Sequence, residues 1–186
     1  AVGLYSMACN TTGDAGIAIG YEALLNNTTA DNNIAIGLQA ARTNTTGTSN
    51  TAVGKSALYG NTTADHNTAI GFCALKTNTT GASNTAVGQN SLFNNSTAND
   101  NTALGHQTLF TNATGANNTA IGKNALYYNT ASNNTAVGNL AMTNTSTGYQ
   151  NTAIGQGALT NNTSANHNTA IGANTLYTNT TGYANT

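Results

Sequence analysis

The residues whose type and spacing best fit a chemical role are asparagines that begin Asn-x-Ser/Thr triplets. This triplet is the acceptor pattern for N-glycosylation in a secreted chain. The triplets recur about every 17 residues. Asn129 stands at the equivalent place in one copy but does not begin such a triplet, because Ala131 occupies the third place. A structural role is the alternative, since asparagine adopts turn conformations and stacked asparagine side chains bond to one another. The glycosylation candidates are Asn10, Asn27, Asn44, Asn61, Asn78, Asn95, Asn112, Asn144, Asn162 and Asn179.

The other reactive side chains are scattered along a chain of 17-residue repeats. Cys9 and Cys73 lie four repeats apart, roughly 19 Å at the spacing of stacked strands. A disulfide needs Cα atoms within about 7 Å. His66 and His167 lie six repeats apart, roughly 30 Å by the same spacing. The acidic residues are dispersed and do not form an EF-hand loop. We therefore predict that the protein is not an enzyme and has no catalytic residue, metal site or cofactor.

Charge is scarce in this composition. Charged residues make up 5% of the chain, whereas about a quarter of the residues are charged in a typical globular protein. The net charge is −1. Disorder is usually accompanied by high net charge or by proline, glutamate and lysine, and the chain has no proline. Four lysines and arginines cannot build a stripe that follows nucleic-acid phosphates. No apolar run approaches the ~18 residues of a membrane span. We expect a regular stack with no nucleic-acid partner and no membrane insertion.

One repeat runs through the whole chain. We number its positions from Asn50, so that Asn50-Thr51-Ala52-Val53-Gly54 holds positions 1 to 5. Position 3 is always alanine, position 4 aliphatic and position 5 glycine, and position 15 alternates between glycine and alanine. Only the repeat that starts at 118 is one residue short. Residues 1–186 therefore form a single array, which we interpret as a window on a longer chain. Its repeats begin at 16, 33, 50, 67, 84, 101, 118, 134, 151 and 168.

The repeat predicts an all-β fold, a parallel β-solenoid (a β-roll or β-helix) of about eleven coils. A unit of 17 residues is too short to bury its own apolar side chains. Stacking places each aliphatic residue over its equivalent in the next coil, with strands ~4.8 Å apart. Glycine at position 5 and the Asn/Thr-rich positions 12 to 14 argue against long amphipathic helices.

The two faces of each strand can be assigned from one substitution. Ile17 and Ile34 replace the usual threonine at position 2, so positions 2 and 4 are expected to point inward. With position 9, this gives a predicted core of Val53, Leu58, Ile70, Leu75, Val87, Leu92, Leu104, Leu109, Ile121 and Leu126. The position-3 alanines would then face outward, packed against a partner chain or a crowded bend of the coil itself. The subunit-interface candidates are Ala52, Ala69, Ala86, Ala103 and Ala120.

The repeated Asn-Thr-Ala-Ile/Val-Gly signature resembles the head repeats of YadA-like trimeric autotransporter adhesins, and similar repeats in some phage tail-fibre proteins. The heads are built on a shorter motif ending Val-Ala-Ile-Gly, which Ile17-Ala18-Ile19-Gly20 and Ile34-Ala35-Ile36-Gly37 match most closely. The resemblance implies a left-handed parallel β-roll in a homotrimer, exposed outside the cell, that binds host or matrix surfaces. Here the repeat is longer, and threonine usually replaces the first apolar residue.

These observations predict a non-catalytic segment of an extracellular or cell-surface fibre or adhesin. We expect it to carry glycans, to assemble with itself as a homotrimer or continuous fibre, and to contact surface glycans or matrix proteins. A phage tail-fibre segment on a virion is one alternative. A partial aromatic stripe at position 10 either binds sugars or packs; it comprises Tyr59, Phe93, Phe110, Tyr127 and Tyr177.

An ice-binding solenoid is the other alternative, because ranks of threonine on a flat β-face suit that task. The threonines at positions 13 and 14, such as Thr62 and Thr63, are adjacent. In a strand they would point to opposite faces, which argues against this function.

Overall fold

The computed structural model describes all residues, 1–186, and shows an all-β parallel β-solenoid with 17 residues per coil, apart from the 16-residue coil that starts at 118. The predicted parallel β-solenoid is confirmed, with ten strands and about nine turns where the repeat count predicted about eleven coils. One strand from each repeat joins a single parallel sheet in which the strands follow chain order. No helix that could cross a membrane is present. The strands are β1 (Ile17–Ile19), β2 (Ile34–Ile36), β3 (Thr51–Val53), β4 (Thr68–Ile70), β5 (Thr85–Val87), β6 (Thr102–Leu104), β7 (Thr119–Ile121), β8 (Thr135–Val137), β9 (Thr152–Ile154) and β10 (Thr169–Ile171).

Backbone hydrogen bonds join successive coils well beyond the sheet. Only 18 of the 115 backbone bonds lie within strands. In the turns, the Leu58 N–H donates to the Ala74 carbonyl at 2.9 Å, and the Thr62 N–H donates to the Thr79 carbonyl at 3.1 Å. Strands of three residues are therefore sufficient to hold the coils together, because the turns stack in the same register as the strands and add their own hydrogen bonds.

The glycine at position 5 is required for two reasons. Gly71 has a φ of 134°, a conformation essentially restricted to glycine. A Cβ added there would also lie 2.6 Å from the carbonyl oxygen of Gly88 in the next coil. The same geometry recurs in the other coils except at Gly172, where the added Cβ would meet only the Thr175 side chain.

The alternation at position 15 comes from close packing between neighbouring coils. A Cβ on Gly81 would lie far inside the contact distance of the Ala98 carbonyl oxygen, and 2.6 Å from Oδ1 of Asn78. Ala98 itself is accommodated in the next coil and is buried. The corner geometry therefore alternates from coil to coil, which explains the period of 34 residues.

The core is built from small residues facing one column of large ones. The alanines at position 3 and most of the small residues at position 8 are fully buried against the position-9 leucines. Leu75 is fully buried and has a φ of 50°, the left-handed conformation that few leucines adopt. Of the predicted core, Leu58, Leu75, Leu92, Leu109 and Leu126 are fully buried.

The predicted orientation of the strands was wrong. Positions 2 and 4 point outward: Ile70 is 40% exposed and Ile121 is 39% exposed. The interior is narrow and already holds the position-9 leucines, so only a methyl group fits opposite them. Val53, Ile70, Val87, Leu104 and Ile121 are therefore not core residues. The alanines predicted at a subunit interface lie in the core with no exposed surface: Ala52, Ala69, Ala86, Ala103 and Ala120.

Candidate functional surface

The asparagines at position 12 line the inside of the solenoid and form a ladder. The Nδ2 of Asn61 donates to Oδ1 of Asn44 at 2.7 Å and to the carbonyl oxygen of Ala64 at 2.9 Å. The Nδ2 of Asn78 donates in turn to Oδ1 of Asn61 at 2.9 Å. All three side chains are fully buried. Each amide therefore satisfies the buried polar groups of its own corner and of the coil before it.

A second buried ladder runs along position 1. The Nδ2 of Asn50 donates to the Ala64 carbonyl at 2.8 Å, so this carbonyl accepts from both Asn50 and Asn61. The Oδ1 of Asn50 accepts the backbone N–H of Asn67 at 2.9 Å. The two ladders thus meet at position 15 and brace each coil across its interior. The near-invariant asparagine at position 1 was the available signal in the sequence, and our sequence interpretation gave it no role.

Burial contradicts N-glycosylation at most of the candidates. A glycan would attach to the same Nδ2 atom that the ladder holds inside the solenoid, and there is no room for a sugar in a packed interior. The prediction is therefore wrong for Asn27, Asn44, Asn61, Asn78, Asn95, Asn112 and Asn162, which are at most 1% exposed.

Three candidate asparagines are not fully buried. Asn10 and Asn179 are half-buried in the first and last coils, and Asn144 is half-buried at position 11. The Nδ2 of Asn144 donates to Oδ1 of Asn161 at 2.7 Å. Glycosylation at these three residues stays a prediction.

The position-12 ladder has one defect. Thr145 occupies the ladder position in its coil, is fully buried, and has a hydroxyl with no hydrogen-bond partner. The next asparagine, Asn162, donates only to the Ala165 carbonyl, at 2.9 Å. The ladder is therefore interrupted between Asn129 and Asn162.

The outward side of the ten-stranded sheet forms a regular surface, which we call the outer sheet face. It consists of the position-2 and position-4 side chains of β1 to β10, paired in register from strand to strand. None of these side chains is charged. The face continues through the short repeat, where Thr119 pairs with Thr135 and Ile121 with Val137. The missing residue is therefore absorbed at the corner, and the face keeps its register.

The threonine hydroxyls of the outer sheet face make no hydrogen bond within the chain, and none is among the buried, unsatisfied atoms. Those at position 13 differ: Oγ1 of Thr62 donates to the Thr79 carbonyl at 3.1 Å, and Oγ1 of Thr79 donates to the Ser96 carbonyl at 2.9 Å. The free hydroxyls form one column: Thr51, Thr68, Thr85, Thr102, Thr119, Thr135, Thr152 and Thr169.

The aromatic residues at position 10 form a partly buried stack. Phe93 and Phe110 lie 5.2 Å apart and 17° from parallel, and Phe110 and Tyr127 lie 5.1 Å apart and 10° from parallel. The Nζ of Lys76 lies 5.3 Å from the Phe93 centroid. In this stack the faces of Phe93, Phe110 and Tyr127 cover one another, whereas Tyr177 lies outside it and is exposed. Sugar binding normally uses a free ring face, so this geometry favours packing.

The remaining reactive groups lie apart from one another. Cys9 is exposed, whereas Cys73 is buried, and burial raises the pKa of the Cys73 thiol. Hydrogen bonds from Gln39 and then Arg42 lower the pKa of the Glu22 carboxyl, with Arg42 Nε 2.7 Å from Oε2. No three His, Cys, Asp or Glu side chains come together, and the surface has no pocket.

Comparison with protein-family models, with curated proteins and with solved structures found no match.

Proposed function

We propose that this chain is a non-catalytic structural segment of an extracellular or cell-surface fibre of the adhesin kind. The observation that supports the proposal is the continuous stacking of identical coils, joined by the backbone ladder and by two internal asparagine ladders. In such a stack each coil contacts mainly its neighbours, so length can be added without redesigning the core. That property suits a rod that holds other parts of a protein at a distance.

The resemblance to autotransporter heads supports an exposed setting. The resemblance implies a homotrimer. The position-3 alanines do not support it, because they lie in the core. Self-assembly therefore stays part of the proposal without a defined interface.

Small-angle scattering and electron microscopy of the purified chain test the rod. The ten-stranded sheet predicts a length of about 50 Å. Two copies joined in repeat register should double that length with an unchanged cross-section. A compact particle, or a tandem protein that folds back on itself, would contradict the rod.

Adhesion is tested separately, with beads that carry the folded chain on immobilised matrix proteins and surface glycans. Beads that carry the same chain after complete chemical unfolding provide the control. Retention of both bead types to the same extent would argue against specific adhesion by the fold.

A further inference from the structure

The outer sheet face has chemistry that the fibre role does not use. Its threonine column presents free hydroxyls and methyl groups beside a column of branched aliphatic side chains. Ile36, Ile70 and Ile154 are 38%, 40% and 40% exposed, respectively. A soluble chain does not need an uncharged, apolar and strictly periodic surface across ten strands for its own stability. We propose that this face binds ice.

The outer sheet face has a regular two-dimensional spacing. Strands in register place equivalent side chains about 4.8 Å apart along the solenoid, and positions 2 and 4 about 6.7 Å apart across it. The result is a two-dimensional grid of hydroxyl, methyl and aliphatic groups. Hexagonal ice has planes in which oxygen atoms repeat along one axis at close to the strand spacing. The grid can therefore hold its first water layer at positions that also belong to the crystal.

The side chains at each point of the grid can also order water. Apolar groups restrict the orientation of first-shell water, and a hydroxyl without an internal partner can anchor that water by a hydrogen bond. Threonine and isoleucine are branched at Cβ and have few rotamers, so little conformational entropy is lost on binding. The position-13 threonines cannot act in this way, since their hydroxyls donate to the neighbouring coil.

The length of the face favours ice over a dissolved ligand. A small molecule would contact one or two coils, and each contact would contribute little binding free energy. A crystal contacts all ten strands at once, so many weak and identical contacts add together. The register of the face is preserved through the short repeat, with Thr119 opposite Thr135. The missing residue and Thr145 both lie away from the face, and the threonine column runs without interruption from β3 to β10, while Ile17 and Ile34 hold its place in β1 and β2.

Thermal hysteresis and ice recrystallisation assays test the proposal on the purified chain. We expect hysteresis that rises with protein concentration. Thr102→Tyr, at the centre of the face on β6, should lower it severalfold at equal concentration, because a bulky ring prevents flat contact. Thr97→Tyr is the matched control: Thr97 is also exposed but lies at the corner, outside any strand. It should retain the activity, and the unfolding midpoints of both variants should match the parent chain.

Several outcomes would overturn the proposal. These are no hysteresis in the folded parent chain, equal activity in Thr102→Tyr, and an equal loss in Thr97→Tyr. Light scattering provides a further test. If the chain self-associates and Thr102→Tyr separates the copies, the face binds a second copy of the chain, which contradicts the proposal.

If Thr102→Tyr fails to fold, the chain without any substitution still provides a test. A fluorophore attached to the exposed Cys9 reports where the protein deposits on a growing ice hemisphere. Deposition on one family of planes supports the proposal, and uniform exclusion from the ice contradicts it.

Discussion

The side-chain nitrogen of Asn61 donates a hydrogen bond to the side-chain oxygen of Asn44 at 2.7 Å, although 17 residues separate them. Both residues are fully buried. The contact places one polar amide over another in successive coils, so that each donor finds its acceptor one coil away. An interior that would otherwise need more apolar volume is filled by a hydrogen-bonded column.

We expect Asn61→Ala to destabilise the solenoid by about 1–3 kcal/mol. The substitution removes the donor to Asn44 and the acceptor for Asn78, which leaves buried polar atoms unsatisfied. Chemical denaturation followed by circular dichroism measures the change. Thr63→Ala, on an exposed side chain of the same coil, should change the free energy of unfolding by no more than about 0.5 kcal/mol. Equal effects of the two substitutions would show that the ladder contributes nothing.

Thr145→Asn should stabilise the protein by about 1 kcal/mol, the net value of an added hydrogen bond. The new amide would fill the interruption between Asn129 and Asn162 and replace a hydroxyl without a partner. Thr145→Val is the control for simple removal of that hydroxyl. If valine stabilises as much as asparagine, the gain comes from losing the unsatisfied hydroxyl, and continuity of the ladder is unimportant.

Adjacent substitutions in β4 should have opposite consequences. Ala69→Arg places a charge in the core and should unfold the neighbouring coils, because an unpaired buried charge costs several kcal/mol. Ile70→Arg lies on the outer sheet face and should cost at most about 1 kcal/mol. Hydrogen exchange resolved by coil measures both effects. If Ile70→Arg destabilises the protein strongly and Ala69→Arg is tolerated, Ile70 points into the core and Ala69 points outward, contrary to the structure.

The two cysteines should differ in their reaction with iodoacetamide at neutral pH. The thiolate is the reactive form, and burial raises the pKa of Cys73, so less of this thiol is ionised at any given pH. Burial also limits access of the reagent. We expect Cys9, which is exposed, to be modified first, and Cys73 to react at a comparable rate only after denaturation. Peptide mass mapping follows the two sites, and rapid modification of Cys73 in the folded chain would contradict its burial.

The fold class, the coil length and the place of the strands could be predicted from the repeat alone. Exact repetition allows only arrangements in which equivalent residues stack, and Gly71 and its equivalents mark the same bend in every coil. The sequence also determined that Leu75 and its equivalents are core residues, because a large aliphatic side chain at a fixed repeat position needs burial in every coil.

Which side of each strand faces the core could not be predicted from the repeat and is seen only in the folded coil. Alternation separates Ala69 from Thr68 and Ile70, but it does not say which set points inward, and hydrophobicity alone favours isoleucine. The deciding factor is volume: Leu75 and the two asparagine ladders leave space for a methyl group and no more. The same crowding places Asn61 inside, where its amide replaces water as the hydrogen-bonding partner of the next coil. Interior volume depends on how the whole coil closes, and no local sequence pattern records it.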